Sequence, residues 1–288
     1  MKAVWKSFWL LILIAGLLAR QTKGEERMSV HTGRRSATVL PGVRLKIVYN
    51  NYAAKEGLTT DWGFGCVIEG AEKPILFDTG SKGRILLDNM KQMDVSADSI
   101  GVVALSHIHW DHTGGLKEFL ETNSQVTVFV PPSFPASFKR DVTSAGARCL
   151  DVKKGTPILP GVWSTGELGR GIKEQALFAA TPEGLVVVTG CAHPGVVEMV
   201  RGAKEAATEL GLGAEEVALV TGGFHMMGMG DAQIQRTINE LRALGVKQAA
   251  PSHCSGDRTR ALFQEAFGAD CLVGDLGGII TIGNPASR

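Results

Sequence analysis

An α/β architecture, with sheets buried on both faces and helices outside, follows from three features of the sequence. Short runs of Val, Ile and Leu recur along the chain, and several, such as 101–105 and 185–189, are continuous over four or five residues, as in strands covered on both sides. Amphipathic segments of helical period alternate with them. The 36 glycines set against 11 prolines in 288 residues point to many tight turns joining short elements, not to a flexible linker chain. A hydrophobic share of 44% with 20% charged residues suits a globular core and excludes a disordered or fibrous chain. The formal charge of +1 leaves no excess of positive charge for a phosphate backbone or an anionic leaflet. A small-molecule substrate is therefore expected, and a nucleic-acid partner is not.

In chain order, the first object is a leader. Lys2 and Lys6 precede a run of 12 apolar residues, 8–19, and the polar stretch 20–27 follows. Twelve residues are too few to span a bilayer, which needs ~20, but they suit the apolar core of a secretory signal. Residues 1–27 are read as a signal peptide or N-terminal anchor, which implies a periplasmic or secreted protein, or one anchored through 8–19. Residues 28–42 read as a linker in which His31 is solvated, and one domain, 43–288, follows. Its strands are expected at 44–49, 65–68, 74–77, 101–105, 126–130, 185–189, 217–220, 249–251 and 278–282. Helices are expected at 82–93, 115–121, 196–210 and 231–244. The last has Ile234, Ile238, Leu241 and Leu244 on one stripe, Asp231 as its cap and Gly245 past its end. The elements fall into two comparable series, 43–130 and 176–282, and 140–180 is the least legible stretch.

Chemistry is concentrated in Ser106-His107-Ile108-His109-Trp110-Asp111-His112-Thr113-Gly114-Gly115, directly after a strand. Four ligand-type side chains in six residues cannot share one face of a helix or strand. They need a loop that curls around a point, and a metal ion supplies that point. His107 and His109 can converge on one ion while Asp111 and His112 turn to a second. Nitrogen and carboxylate donors suit zinc, iron(II) or manganese. Further ligands must come from distant loops, and His193 and His253, each following a strand end and a turn, are assigned to that role. His225, in a third such position, is read as a proton donor or substrate contact. Asp78, which closes the strand-like run Ile75-Leu76-Phe77, is read as the acceptor that fixes the tautomer of a metal-bound His. The odd count of five cysteines is no disulfide framework. Cys191 and Cys254, each within two residues of a His, stand apart from Cys66, Cys149 and Cys271, which read as small buried apolar residues.

These residues resemble the metallo-β-lactamase superfamily. The resemblance rests on His-x-His-x-Asp-His followed by Thr-Gly-Gly, on the preceding Phe77-Asp78-Thr79-Gly80, and on the single His after later strands. Thr189-Gly190-Cys191-Ala192-His193-Pro194-Gly195, Gly222-Gly223-Phe224-His225 and Ser252-His253-Cys254-Ser255-Gly256 are similar to the branch named for 7,8-dihydropterin-6-yl-methyl-4-(β-D-ribofuranosyl)aminobenzene 5'-phosphate synthase. The resemblance implies a four-layer αβ/βα sandwich with a metal site at one edge between the sheets. It also implies two divalent ions, zinc first with manganese and iron as alternatives, one on His107, His109 and His193 and the other on Asp111, His112 and His253. One departure stands out: the bridging Asp of the superfamily is replaced by Gly190-Cys191 or Gly223-Phe224. Cys191 either takes its place or fills space beside His193, and Asp257 and Asp275 are the other candidates.

The function expected on this basis is that of a metallo-hydrolase. Metal-bound hydroxide would attack a phosphoester or carbonyl of a small substrate, a phosphorylated pterin-like one among the candidates, with Asp111 and His225 as the catalytic groups. The loop 52–65 would lie over the site, with Trp62 and Phe64 against a flat ring, and Ser252 is a further substrate contact. Two other classes are weighed against it: an iron-dependent redox protein, and a non-catalytic periplasmic binder that keeps the site but has lost turnover.

Overall fold

A computed structural model describes residues 38–212 and 215–285 of the protein. The leader, His31 and most of the expected linker lie outside the described residues. The end of that linker is already ordered into the domain, since Leu40 is buried and its N–H donates to Ala180 O at 2.9 Å.

The first half of the domain contributes β1 (Gly42–Tyr49), β2 (Gly65–Glu69), β3 (Ile75–Phe77), β4 (Val102–Ala104), β5 (Thr127–Val130) and β6 (Arg148–Asp151). The second contributes β7 (Pro157–Leu159), β8 (Val162–Ser164), β9 (Leu177–Thr181), β10 (Gly184–Thr189), β11 (Val217–Gly223) and β12 (Val246–Ser252). The last strand, β13 (Ile279–Gly283), returns to the first sheet, whose order is β13-β1-β2-β3-β4-β5-β6. The second sheet runs β12-β11-β10-β9-β8-β7. Each sheet has an antiparallel and a parallel half: β3 to β6 are parallel in one, and β10 to β12 in the other.

The alternation of side chains along each strand produces four layers. On β1, Val43, Leu45 and Ile47 face the second sheet and pack with Leu177, Ala179, Val186 and Val188. Val48 and Tyr49 turn outward, onto α1 (Gly83–Gln92) and α3 (Leu116–Thr122), with Leu86, Met90 and Phe119. On β10, Leu185 and Val187 turn to the other outer layer, where α5 (Val196–Glu209), α6 (Asp231–Ala243) and α7 (Asp257–Phe267) bury Met199, Ile234, Ile238 and Phe263. Each such side chain contributes ~1.5–3 kcal/mol by leaving water. The expected four-layer αβ/βα sandwich is the architecture found.

The stretch 140–180 is hard to read because its elements are short, with β6 and β7 largely exposed and β8 and β9 buried. It holds most of the helix Ala136–Ser144, together with β6, β7, β8 and most of β9. Asp231 is the first helical residue and not the cap, and its carboxylate pairs with Arg258 Nη2 at 2.5 Å. The parallel strands β3, β4, β10, β11 and β12 all deliver their carboxyl ends to one edge of the sandwich, the usual place for a site in open α/β sheets.

Candidate metal centre

The turn after β4 carries His107 and His109. A short helix, Trp110–Thr113, then presents Asp111 and His112 inward. This segment is tied to neighbouring strands through its backbone: Phe64 N–H donates to Asp111 O, and Thr79 N–H and Oγ1 donate to His112 O. Asp78, His253, His225 and Ala192 all sit at positive φ, between 46° and 60°, in a backbone region that costs non-glycine residues energy. Such strain concentrates where the fold aims side chains at one point.

Each buried ring is held from behind. The carboxylate of Asp78, fully buried, accepts from Ser106 N–H at 2.7 Å and Ser106 Oγ at 2.7 Å, and from His112 Nδ1 at 2.6 Å. Because a carboxylate only accepts, the proton that the neutral, metal-binding form of His112 keeps is the one on Nδ1, which turns the Nε2 lone pair forward. His107 Nδ1 lies 2.9 Å from Ser106 Oγ, whose own proton goes to Asp78, so its Nε2 also faces forward. His253 Nδ1 lies 2.8 Å from Asn51 Oδ1. These rear partners are the arrangement that fixes tautomers of metal-binding imidazoles. Close approach depends on Gly190, where a Cβ would fall 2.0 Å from Ser106 Oγ and 2.8 Å from Asp78 Oδ2.

The forward atoms form two clusters. His107 Nε2 is 3.1 Å from His109 Nδ1 and 3.2 Å from His193 Nε2. That is close to the ~3.4 Å between two nitrogens sharing a tetrahedral ion at ~2.1 Å. The second cluster is Asp111, His112, Cys191 and His253, with donor atoms all within 4.8 Å of one another. Within it, His112 Nε2 lies 3.1 Å from Cys191 Sγ, and Asp111 Oδ2 lies 3.3 Å from His253 Nε2. His253 Nε2 is sealed from solvent and faces the Asp111 carboxylate without completing a hydrogen bond, an arrangement that a cation between them would satisfy. The donor sets therefore fit divalent metal: His107, His109 and His193 at one position, and Asp111, His112 and His253 with Cys191 at the other.

The electrostatics of the clusters differ. Burial and the neighbouring imidazoles push His107 far below the ordinary range and hold His193 at about 4. Burial works against protonation of His112 too, but the Asp78 charge and hydrogen bond outweigh it and raise the ring to about 9. Burial would raise Asp111, yet the His253 ring and the His112 charge hold it at about 2.

Glu174 carried no sequence signal. Entirely buried, it accepts from the N–H groups of Gly190, Cys191 and Ala192 through Oε1 and from His193 N–H through Oε2, at 2.9–3.0 Å. It thereby fixes the loop that carries Cys191 and His193. Burial pushes its carboxyl up to about 7, against the pull of those amides.

The clusters open into a cavity of about 300 Å³ lined by Trp62, Trp110, His225 and Cys254 together with His109, Asp111, Cys191, His193 and His253, while His107 and His112 lie behind it. The ring of Trp62 lies 4.9 Å from that of His253, and Trp110 is 63% exposed. His225 stands at the rim with its ring 4.3 Å from His193, and a hydrogen bond with Cys254 raises its proton affinity. Two expected contacts are placed elsewhere. Phe64, just before β2, is wholly buried in the core between the sheets, and it meets the site through its backbone, which bonds Asp111 O and Gly80 N–H. Ser252 is also buried, with its hydroxyl donating to Gly274 O at 2.6 Å and accepting from Asn50 Nδ2 at 2.5 Å. Of the alternatives to a bridging Asp, Asp275 is engaged by Arg260 at 2.5 Å and only Cys191 joins the cluster. All five cysteines are free thiols.

Comparison with known proteins agrees with this fold. The family model described as metallo-beta-lactamase superfamily matches residues 66–197. The chain is 31% identical to the 7,8-dihydropterin-6-methyl-4-(beta-D-ribofuranosyl)-aminobenzene-5'-phosphate synthase of Methanocaldococcus jannaschii, over 70% of this chain and 82% of that one. It is 25% identical to an uncharacterised protein of the same organism, over 83% of this chain and all of the other. Among solved structures, a metal-dependent hydrolase of the beta-lactamase superfamily superposes with a TM-score of 0.69 at 23% identity, covering 84% of this chain and all of the other. The fold protein YhfI of Bacillus subtilis gives 0.59 at 12% identity, with 84% and 100% covered. The chain belongs to the metallo-β-lactamase superfamily, in the branch that resembles the pterin-ribofuranosyl-aminobenzene-phosphate synthase.

Proposed function

We propose that the protein is a metal-dependent hydrolase acting on a phosphoester or carbonyl of a small substrate with a flat ring. The observation that carries this reading is the convergence of two donor clusters on one cavity, with the buried His253 Nε2 facing Asp111 Oδ2 at 3.3 Å among them. Zinc or a related divalent ion bound there would lower the pKa of water toward neutrality and polarise the scissile group. The chain's own residues supply the rest. Asp78, Ser106 and Asn51 keep the ligand rings in one tautomer, and Glu174 holds the loop of Cys191 and His193 in register. Trp62 and Trp110 offer ring faces at the mouth, where an aromatic substrate gains ~0.5–1.5 kcal/mol beyond its buried area. His225, at the rim with raised proton affinity, is placed to protonate a leaving group. The cavity lining contains neither Lys nor Arg, so an anionic group of the substrate would meet metal and imidazole there and not a basic clamp. The name of the M. jannaschii relative makes a phosphorylated pterin-like compound the leading candidate.

Elemental analysis combined with a panel of phosphomonoesters, phosphodiesters, lactones and β-lactams tests the proposal. Bound transition metal with turnover of at least one ester class is expected; failure to hold zinc, manganese or iron even after reconstitution would overturn it. Export through the 1–27 leader belongs to the same proposal. A mature start between residues 20 and 28 is expected in a secreting host, and an intact Met1 would remove it. Among the described residues no helix is long and apolar enough to cross a membrane.

A further inference from the structure

One asparagine, just after β1, is bonded toward both the metal side and the aromatic side of the cavity. Asn50 is fully buried and uses every hydrogen-bonding place of its amide inside the protein. Its Nδ2 donates to Ser252 Oγ at 2.5 Å and to Gly274 O at 3.0 Å, while its Oδ1 accepts from Asn51 N–H at 2.7 Å and from Tyr52 N–H at 3.4 Å. Both bonds lead to His253. Ser252 is the residue before it, and Asn51 meets His253 Nδ1 through Oδ1 at 2.8 Å and donates from Nδ2 to His253 O at 3.5 Å. From Ser252 the chain of bonds runs on: its carbonyl accepts from Ser255 Oγ at 2.6 Å, and that hydroxyl accepts from Phe224 N–H at 3.1 Å, one residue before His225.

Toward the aromatic side, Asn50 O accepts from Asp61 N–H at 3.3 Å, and Asp61 Oδ1 accepts from Trp62 N–H at 2.7 Å. The rest of this loop is pinned as well. The fully buried Asn89 of α1 accepts from Thr59 N–H and donates to Thr59 O, both at 2.9 Å, and Phe64 is bonded to Asp111 O and Gly80 N–H. Trp62 thus stands on a short arc between fixed points, with its ring 4.9 Å from that of His253. We propose that Asn50 is a positioning residue that sets the rings of His253 and Trp62 together, so that metal affinity at the second position and the aromatic wall of the cavity depend on one buried amide. The roles of the two rings, metal ligand and substrate wall, rest on the hydrolase reading. Their coupling is a property of the chain alone.

The test uses the full chain, stripped of metal. Zinc uptake is followed in competition with a chelator, and acrylamide quenching of tryptophan emission is measured, the Trp62 share being the difference from Trp62→Phe in each background. Asn50→Asp keeps the acceptor for Asn51 N–H and loses the donations to Ser252 and Gly274. Affinity at the second position should fall ~10–100-fold while the first position holds its ion, and quenching of Trp62 should rise. Ser252→Ala is a milder change that takes Ser252 Oγ from Asn50 Nδ2 and leaves Gly274 O. It should move both readouts the same way, and it decides the matter should Asn50→Asp not fold. Asn51→Ala frees His253 Nδ1 without touching the bond between Asn50 and Ser252, so affinity at the second position should fall with Trp62 quenching as in the wild type. Wild-type quenching of Trp62 in the folded Asn50 and Ser252 variants overturns the proposal, and so does equal weakening of both metal positions. A rise in Trp62 quenching in Asn51→Ala would move the coupling to Asn51 and overturn it too. A wild type that takes up no zinc ends the hydrolase reading, and Trp62 quenching in the metal-free variants then decides the role of Asn50.

Discussion

His107, His109 and His193 offer three imidazoles at the cavity wall, two of them half exposed, whereas Asp111, His112, Cys191 and His253 are all buried and carry the charge of the site. In the first cluster only His107 is held from behind, by Ser106, and the other rings meet mainly each other, edge to face at 4.7–4.8 Å. In the second, His112 is locked by Asp78 and His253 by Asn51. The difference teaches that one position is shaped by what it binds, while the other is built before anything binds. It also sets opposite proton demands, since the first cluster is neutral at pH 7 and the second must release the His112 proton to accept an ion.

The largest effect expected is from His109→Ala. Loss of one donor from the open cluster should lower turnover by ~10³-fold or more, since several kcal/mol of charge stabilisation go with the ion. The partly exposed ring sits at the sheet edge, so circular dichroism and the melting temperature should stay close to wild type. A collapsed fold would show that the open cluster is a structural element after all.

Asp78→Asn sharpens the comparison from the other side. An amide accepts through one oxygen only, so its NH2 would face either Ser106 N–H or the Ser106 hydroxyl and His112 Nδ1–H, and the second position should lose ~10–100-fold in metal affinity. The first position should hold its ion in a chelator competition. Equal loss at both would mean that the clusters are one cooperative unit.

A pH series tests the proton demands. The Asp78 carboxylate holds the His112 proton up to about pH 9, and a hydrogen bond with Cys254 and burial raise the Cys191 thiol too, so affinity at the second position should rise at least about tenfold per pH unit up to pH 9. His193, held at about 4, imposes no such slope on the first position near neutrality. Stability of the stripped protein should move the opposite way. His112 is raised from 6.5 to about 9, so its contribution is complete below pH 6.5 and fades as pH climbs through 9. Glu174, raised from 4.5 to about 7, adds a contribution complete below 4.5 and lost through 7. The melting temperature should thus fall between pH 6 and 9, and a flat profile would contradict the charge assignment.

The smallest effect belongs to the rim. Trp110→Ala removes a side chain 63% exposed, so stability should change by less than ~0.5 kcal/mol. KM for an aromatic ester should rise ~3- to 10-fold with kcat unchanged. An unaltered KM would take the tryptophan out of substrate binding.

The sequence by itself determined the strands other than β6 to β9 and four of the helices, but not those at Trp110–Thr113, Ala136–Ser144 and Asp257–Phe267. Continuous Val/Ile/Leu runs such as 185–188 have no alternative to a doubly covered strand, and the stripe Ile234, Ile238, Leu241 has no alternative to a helix packed on it. It also exposed the run from His107 to His112, because so many ligand-type side chains in so few residues make sense only around a common point. Tertiary structure alone decided what depends on residues far apart in the chain. Glu174 looks like any surface carboxylate until the fold places it under four amides of 190–193. Phe64 looks like a pocket aromatic until the fold packs it between the two sheets with Ile47, Phe77 and Ala104. Cys191 and Cys254 are 63 residues apart, and nothing in either neighbourhood reveals that Gly223 leaves the gap in which they meet. Local periodicity is written in neighbouring residues, but the partner of a buried charge or a thiol is fixed only when separate strand ends arrive at the same edge.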